Sequence, residues 1–147
     1  MNKNFTVVLY EPEIPQNVGT IMRMCACLDL DLILIEPLGF VLEDRNFKRS
    51  KLDYECDFER ISSFNKFDQK YKSNRKILFS PHSSVNVFDF EFLPGDFLFF
   101  GRESSGVEPF VAETCDAIVS IPMGPRARSL NLAMSVAMGA SLALKSI

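Results

Sequence analysis

Apolar runs along the chain alternate with segments of helical period. Phe5 to Tyr10 is continuously apolar and rich in β-formers, the pattern of a strand buried on both faces. From about Gln16 to Leu28 the positions Val18, Ile21, Met22 and Cys25 recur at helical spacing and predict one core face. Pro12 and Pro15 hold the residues before that helix out of it. Asp31 to Glu36 is a second buried run, closed by the turn chemistry of Pro37-Leu-Gly39. Residues 43–57 are charged and irregular. An amphipathic, mostly polar helix is predicted over Ser62 to Lys72, a third strand over Lys76 to Ser80, and a fourth over Asp96 to Gly101. A helix from about Gly106 to Cys115, a short strand Ala117 to Ile121 and a C-terminal helix complete the series. Buried strands alternating with helices predict an α/β fold, a mostly parallel sheet with helices on both faces. No repeat, linker or low-complexity stretch interrupts the pattern, and 147 residues fit a single domain spanning 1–147.

The C-terminal helix is apolar nearly all round. Leu130, Met134, Ala137 and Leu144 lie on one side, and Leu132, Val136 and Ala143 on another. Such a helix must be covered on more than one side, which predicts a homodimer. Ala133, Ala137, Gly139 and Ala140 would permit close approach of the second copy. The apolar run is shorter than the roughly 20 residues needed to span a bilayer, so no membrane is expected. Glu11 and Pro12 interrupt what would be the apolar core of a signal peptide in Met1 to Pro12, and the expectation is a cytoplasmic protein. Four cysteines without C-x-x-C spacing and a single histidine predict buried reduced thiols and no metal site.

A net charge of −3 argues against a generic nucleic-acid coat but leaves room for a local basic patch. In sheets of this kind ligands bind beyond the carboxyl ends of the strands. Three strand ends stand out: Ser80-Pro-His-Ser, Gly101-Arg-Glu-Ser-Ser-Gly106 and Ile121-Pro-Met-Gly-Pro-Arg. Gly101-x-x-x-x-Gly106 lacks the Lys-Ser/Thr of a phosphate-binding loop and reads most simply as a tight strand-to-helix turn. Glu103 inside it would crowd a phosphate, which favours a ligand without one. His82, the only imidazole, sits in a turn. Gln16, Asn17, Thr20 and Arg23 share about a third of the circumference of the first helix, at about 100° per residue, where they could overlook the crevice. Arg45, Lys48, Arg49 and Lys51 suit either a solvated loop or phosphate contact. Arg126, Arg128, Ser129 and Asn131 cluster at the mouth of the apolar C-terminal helix.

Five stretches, in order and at matching spacing, carry a resemblance: Tyr10-Glu-Pro-Glu-Ile-Pro-Gln-Asn-Val-Gly-Thr-Ile-Met-Arg23, Ile35-Glu-Pro-Leu-Gly-Phe40, Arg49-Ser-Lys-Leu-Asp-Tyr54, Phe100-Gly-Arg-Glu-Ser-Ser-Gly106, and Ile121-Pro-Met with Arg128-Ser-Leu-Asn-Leu132. Nearly the whole chain resembles the SpoU branch of the SPOUT RNA methyltransferases, in particular its small tRNA (cytidine/uridine-2′-O-)-methyltransferases. The resemblance implies a C-terminal trefoil knot, a homodimer, S-adenosylmethionine as cofactor, and the wobble nucleotide of tRNA as acceptor, with leucine isoacceptors the expected substrates. Its cofactor contacts fall on Pro81, Gly101, Ile121, Met123, Ser129 and Leu130. Its catalytic polar set falls on Asn17, Arg23, Glu103 and Asn131, with Arg23 handling the ribose hydroxyl. RNA contacts are then expected from Arg45, Lys48, Arg49, Lys51, Arg126 and Arg128. The chain departs from its relatives at Arg126-Ala127, where Asn-Ser is usual, and at Ala133-Met134, where Ser-Asn is common. Two other readings stay open: a SPOUT RNA-binding protein without activity, and a small α/β nucleotide-binding protein of flavodoxin type.

Overall fold

The computed structural model describes residues 3–147; Met1 and Asn2, the start of the segment read against a signal peptide, lie outside the described residues. Six parallel strands form one sheet in the order β3-β2-β1-β5-β4-β6. They are β1 (Thr6–Tyr10), β2 (Asp31–Ile35), β3 (Phe58–Ile61), β4 (Lys76–Phe79), β5 (Phe97–Phe100) and β6 (Ala117–Val119). The helices are α1 (Pro15–Leu28), α2 (Arg45–Lys51), α3 (Phe64–Lys70), α4 (Pro109–Thr114) and α5 (Leu132–Lys145), with a 3₁₀ turn at Val87–Asp89.

The two-residue period of the strands divides the core. Val7, Leu9, Leu32, Leu34, Leu98 and Phe100 face α1, α2 and α5. Their neighbours Val8, Tyr10, Ile33, Ile35, Phe97 and Phe99 face α3 and α4, against Phe64, Phe67 and Val111. Parallel strands covered on both sides are near-continuously apolar, and β1, β2, β4 and β5 are buried at every position, with polar Thr6, Asp31 and Lys76 only at strand starts.

Several expectations need correction. The irregular stretch 43–57 holds a helix, α2, whose amino end Asp44 caps by accepting from the amides of Asn46 and Phe47 at 2.7 and 3.1 Å. It also leads directly into β3, an edge strand whose Phe58 and Arg60 are exposed and which therefore lacks the continuous apolar signal. Pro15 opens α1 as its first residue, where a missing N–H is harmless. The helix expected from Gly106 begins only at Pro109, and the one expected over Ser62 to Lys72 is trimmed to α3, with Ser63 as its cap. All four cysteines are free, but only Cys25 is buried, while Cys27 is exposed.

The chain leaves β6 at one edge of the sheet, yet α5 lies over β4 and β5: a Cβ added at Gly139 would stand 2.7 Å from the Phe79 ring and 3.4 Å from Phe100. The segment from Ser120 to Asn131 must therefore cross back over β4. At its start it is bonded to the β4–β5 connection. Ser120 accepts from the Val87 amide and donates to the Val85 carbonyl, each at 2.8 Å, and Ser83 Oγ donates to the Ile118 carbonyl at 2.6 Å. Gly139 and Ala140, expected to admit a second copy, instead seat α5 on the sheet; Leu132, Val136 and Ala143 are buried with them. Met134 and Met138 form the outward stripe, 63% and 37% exposed.

Gly139→Val should lower stability by about 1–3 kcal/mol, because the added carbons drive into the stacked Phe79 and Phe100 rings. Thermal unfolding monitored by circular dichroism would check it; an unchanged midpoint would mean that α5 is free to lift from the sheet.

Candidate active site

The carboxyl ends of β1, β4, β5 and β6 meet the amino ends of α1 and α5 around a cleft of about 680 Å³. The next strand after β1 lies on one side, β2, and the next after β5 lies on the other, β6, so the sheet has its switch point between β1 and β5. Apolar side chains supply much of the wall, including Leu78, Phe79, Phe100, Ile121, Met123 and Leu132.

Glu103 organises one side of this cleft. Its carboxylate accepts from the backbone amides of Glu13 and Ile14, both at 2.9 Å, and from Asn17 Nδ2 at 3.3 Å. Ile14 caps α1 without a side-chain acceptor of its own, so the anion from the β5 loop takes that place at the positive end of the helix. The oxygen of the same Asn17 amide accepts from Asn131 Nδ2 at 3.0 Å, and Asn131 Oδ1 accepts from the Met134 amide at 3.3 Å, capping α5. One relay thus ties the β5 loop, the first turn of α1 and the first turn of α5. Asn17 is buried, in contrast to Gln16, Thr20 and Arg23, which are exposed along the same helix.

The reverse contact runs from Glu13, whose carboxylate accepts from the Ser104 amide at 2.9 Å and from its hydroxyl at 2.8 Å. Those two bonds hold the Glu13 carboxyl below its ordinary range. Beside it, Arg102 bonds Glu11 at 2.9 Å, pairs with Glu108, and lies 4.9 Å over the ring of Tyr10. The Tyr10 hydroxyl donates to Glu108 at 2.5 Å. The hydroxyl and the Arg102 guanidinium hold the Glu108 carboxyl down, whereas burial first and Glu108 second push the phenol up.

The Gly101–Gly106 loop closes on itself rather than opening into a helix. Arg102 and Gly106 exchange two backbone bonds of 3.0 Å, and the Ser104 amide is taken by Glu13. Three amides that a phosphate-binding loop would offer to an anion are therefore already paired. A Cβ on Gly101 would stand 2.7 Å from the Gly106 backbone, so the glycine serves closure of the loop and not space for a ligand.

Of the residues singled out in the sequence, Pro81, Gly101, Ile121, Met123, Ser129 and Leu130 all line the cleft, as do Asn17, Glu103, Asn131, Arg128 and His82. Arg126 is exposed on the same crossing segment without lining it. Arg23 lies about 9 Å further along α1 than Asn17 at 1.5 Å per residue and does not line the cleft of its own chain. Its guanidinium stacks 5.3 Å over the ring of Tyr54. Arg45, Lys48 and Arg49 are exposed on α2, which presses its backbone onto α1 where Gly19 leaves room, a Cβ there meeting the Phe47 carbonyl at 2.6 Å. Sequence reasoning missed Glu13, Ser104, Arg102 and Tyr54 as members of this arrangement. Glu13 and Arg102 find partners about ninety residues away in the chain, and no local spacing marks such pairs. Among the described residues no group of three or more His, Cys, Asp or Glu side chains could hold a metal, and no helix is long and apolar enough to cross a membrane.

A model of the SpoU rRNA Methylase family matches residues 4–141. The chain is 43% identical over 145 residues to a tRNA (cytidine(34)-2′-O)-methyltransferase of Beijerinckia indica, covering 96% of this chain and 91% of that protein. It is 40% identical over 136 residues to a protein of the same name from Ancylobacter novellus, covering 90% and 86%. Among solved structures, one described as giving structural insights into the 2-OH methylation of C/U34 on tRNA superposes with a TM-score of 0.92 at 37% identity, covering 98% of this chain and 96% of that one. The SpoU methyltransferase AviRb of Streptomyces viridochromogenes in complex with AdoMet superposes with a TM-score of 0.85 at 25% identity, over 99% of this chain and 61% of its own.

Glu103→Gln should cost about 2 kcal/mol, the worth of a hydrogen bond to a charged group, and speed amide exchange at Glu13 and Ile14. Hydrogen exchange read by NMR is the check. Protection unchanged at those two amides would show that the carboxylate is dispensable for the amino end of α1.

Proposed function

The chain belongs to the SpoU rRNA methylase family, and on that premise we propose that it transfers a methyl group from S-adenosylmethionine to the ribose 2′-hydroxyl of the wobble nucleotide, cytidine or uridine 34, of tRNA. Leucine isoacceptors are the first acceptors to try. In this reading the protein is a cytoplasmic homodimer of single-domain subunits, and family membership implies that the crossing from Ser120 to Asn131 is threaded as a trefoil knot.

The observation that carries the reading is the character of the cleft. All six positions assigned to the cofactor line it, its walls are largely apolar, and the Arg102, Ser104 and Gly106 amides of its glycine loop are already paired. Adenosylmethionine has no phosphate and needs no phosphate cradle; its sulfonium suits a wall of apolar side chains that favours loss of its charge. Pro81, Gly101, Ile121, Met123, Ser129 and Leu130 would hold it, supplying an electrophilic methyl group when bound. The protein's remaining work is to orient a ribose oxygen in line and to manage its proton. The relay of Glu103, Asn17 and Asn131 fixes the rim against which the ribose would sit. Arg23 acts as a charged clamp, since a guanidinium is a poor base but its charge stabilises a developing alkoxide. Because Arg23 lies outside its own cleft, a complete site needs the second copy or the bound RNA to bring an Arg23 to the rim. Arg45, Lys48, Arg49, Lys51, Arg126 and Arg128 supply positive charge for the tRNA backbone, on a protein whose net charge is −3.

Incubating bulk tRNA with the protein and labelled adenosylmethionine, then mapping 2′-O-methylation, should find the label at nucleotide 34. Arg23→Ala should bind the cofactor normally and transfer little methyl. Label on a base, on another nucleotide, or on no tRNA at all would overturn the reading.

The dimer of this reading uses the outward stripe of Met134 and Met138 on α5, together with Phe88, 57% exposed, beside it. Met134→Glu should shift the protein toward monomer in light scattering at micromolar concentration. A wild-type protein that is already monomeric there would exclude the dimer.

A further inference from the structure

Two arginines in this protein stack on tyrosines, and they are used in opposite ways. Arg102, over Tyr10, is also paired with Glu11 and Glu108, so its charge is neutralised internally. Arg23, over Tyr54, is exposed and makes no hydrogen bond or ion pair among the described residues. An aromatic face is the one kind of partner that restrains a guanidinium and leaves its in-plane donors free. A carboxylate would restrain it too, but would occupy the fork and cancel the charge.

Tyr54 is itself held from the basic helix. Its carbonyl accepts from Lys51 Nζ at 3.2 Å, and the chain leaves α2 through Leu52 at φ +59°, which folds residues 53–57 back toward α1. The close seat of α2 on α1 at Gly19 makes the two helices one body. The exposed cations Arg45, Lys48 and Arg49, the Lys51 tether, the Tyr54 ring and the Arg23 guanidinium thus form a continuous arrangement.

We propose that Tyr54 is a positioning residue for Arg23: its ring aims the guanidinium while leaving all five N–H donors for the RNA, and its tether to Lys51 couples that aim to phosphate contact along α2. The inference rests on the reading in which Arg23 clamps the reacting ribose. A long arginine side chain otherwise spreads over many rotamers, with about 2 kcal/mol of entropy to lose at the moment of reaction. Stacking restricts those rotamers beforehand.

The test is single-turnover methylation of tRNA by wild type, Tyr54→Phe and Tyr54→Leu, each also in the Arg23→Ala background, with adenosylmethionine affinity measured alongside. Tyr54→Leu should lower the rate of the methyl-transfer step by about 3- to 30-fold, the range of a cation–π contact between exposed and desolvated limits, while cofactor affinity stays at the wild-type value. Tyr54→Phe, which keeps the ring, should restore the rate. In the Arg23→Ala background Tyr54→Leu should have no further effect, because the group it positions is gone. A Tyr54→Leu enzyme with the wild-type rate overturns the inference, as does an equal loss with and without Arg23, or a Tyr54→Phe enzyme as slow as Tyr54→Leu. A wild-type protein that methylates no tRNA overturns the functional reading and this inference together. An active wild type with an indifferent Tyr54 overturns only the inference.

Discussion

The Glu103 carboxylate is the interaction on which the rest of the cleft depends. A half-buried charged group set against backbone amides must be matched by donors, and here the donors come from Glu13, Ile14 and Asn17, all in the approach to α1 or its first turn. Asn17 then has one amide oxygen left to satisfy, and Asn131 satisfies it while capping α5. Three segments that are far apart in the chain are thereby held to one geometry. The cost of breaking any single bond exceeds its own worth, because the next polar group in the series loses its partner as well.

Charge is allocated differently on the two sides of α1. Around the β5 loop, Glu11, Glu13, Arg102 and Glu108 pair with one another or with backbone, and that region keeps its shape without any ligand. On α2 and at Arg23 the cations have no acidic partner among the described residues. Their mutual repulsion is tolerated because they are solvated, and it would be relieved by a polyanion. The same residue type is structural in one place and held in reserve in the other, and the difference lies in which carboxylates the fold brings near.

Much of this was legible in the sequence, and the reasons are physical. β1, β2, β4 and β5 announced themselves because a strand covered on both faces is a near-continuous apolar run, with Thr6, Asp31 and Lys76 only at strand starts. α5 was legible as a helix from its apolar run, of which Leu132, Val136 and Ala143 are buried and Met134 stays exposed. β3 was not legible, since an edge strand of the sequence Phe-Glu-Arg-Ile has one face and one edge in water and so carries charge. α2 was hidden for a related reason: only Phe47 in it is buried, and its clearest signal was the capping Asp44. The polar residues of the cleft were nameable one at a time from the resemblance, but their bonding was not. Nothing in Glu103 says that it faces Ile14, and nothing in Gly101 says that its missing side chain makes room for Gly106. Arg23 shared a helix face with Asn17 on a wheel, yet the fold buries one in the relay and turns the other out to Tyr54.

The segment 83–87 has a consequence for how copies of this protein can meet. The Val119 carbonyl bonds inward to the Ser80 amide just past β4, so its neighbours Ile118 and Ser120 present their backbone groups outward. Ser83 covers one and Val85 and Val87 cover the other, leaving little of that margin able to accept a further strand. The opposite margin, β3, is four residues long and studded with Glu59 and Arg60, each engaged in an ion pair. Sheet-to-sheet growth, the route by which exposed strand margins lead to aggregation, is thus obstructed at both ends. A molecule so finished at its margins can afford a wide apolar stripe on one helix, because association through that stripe has nowhere to propagate.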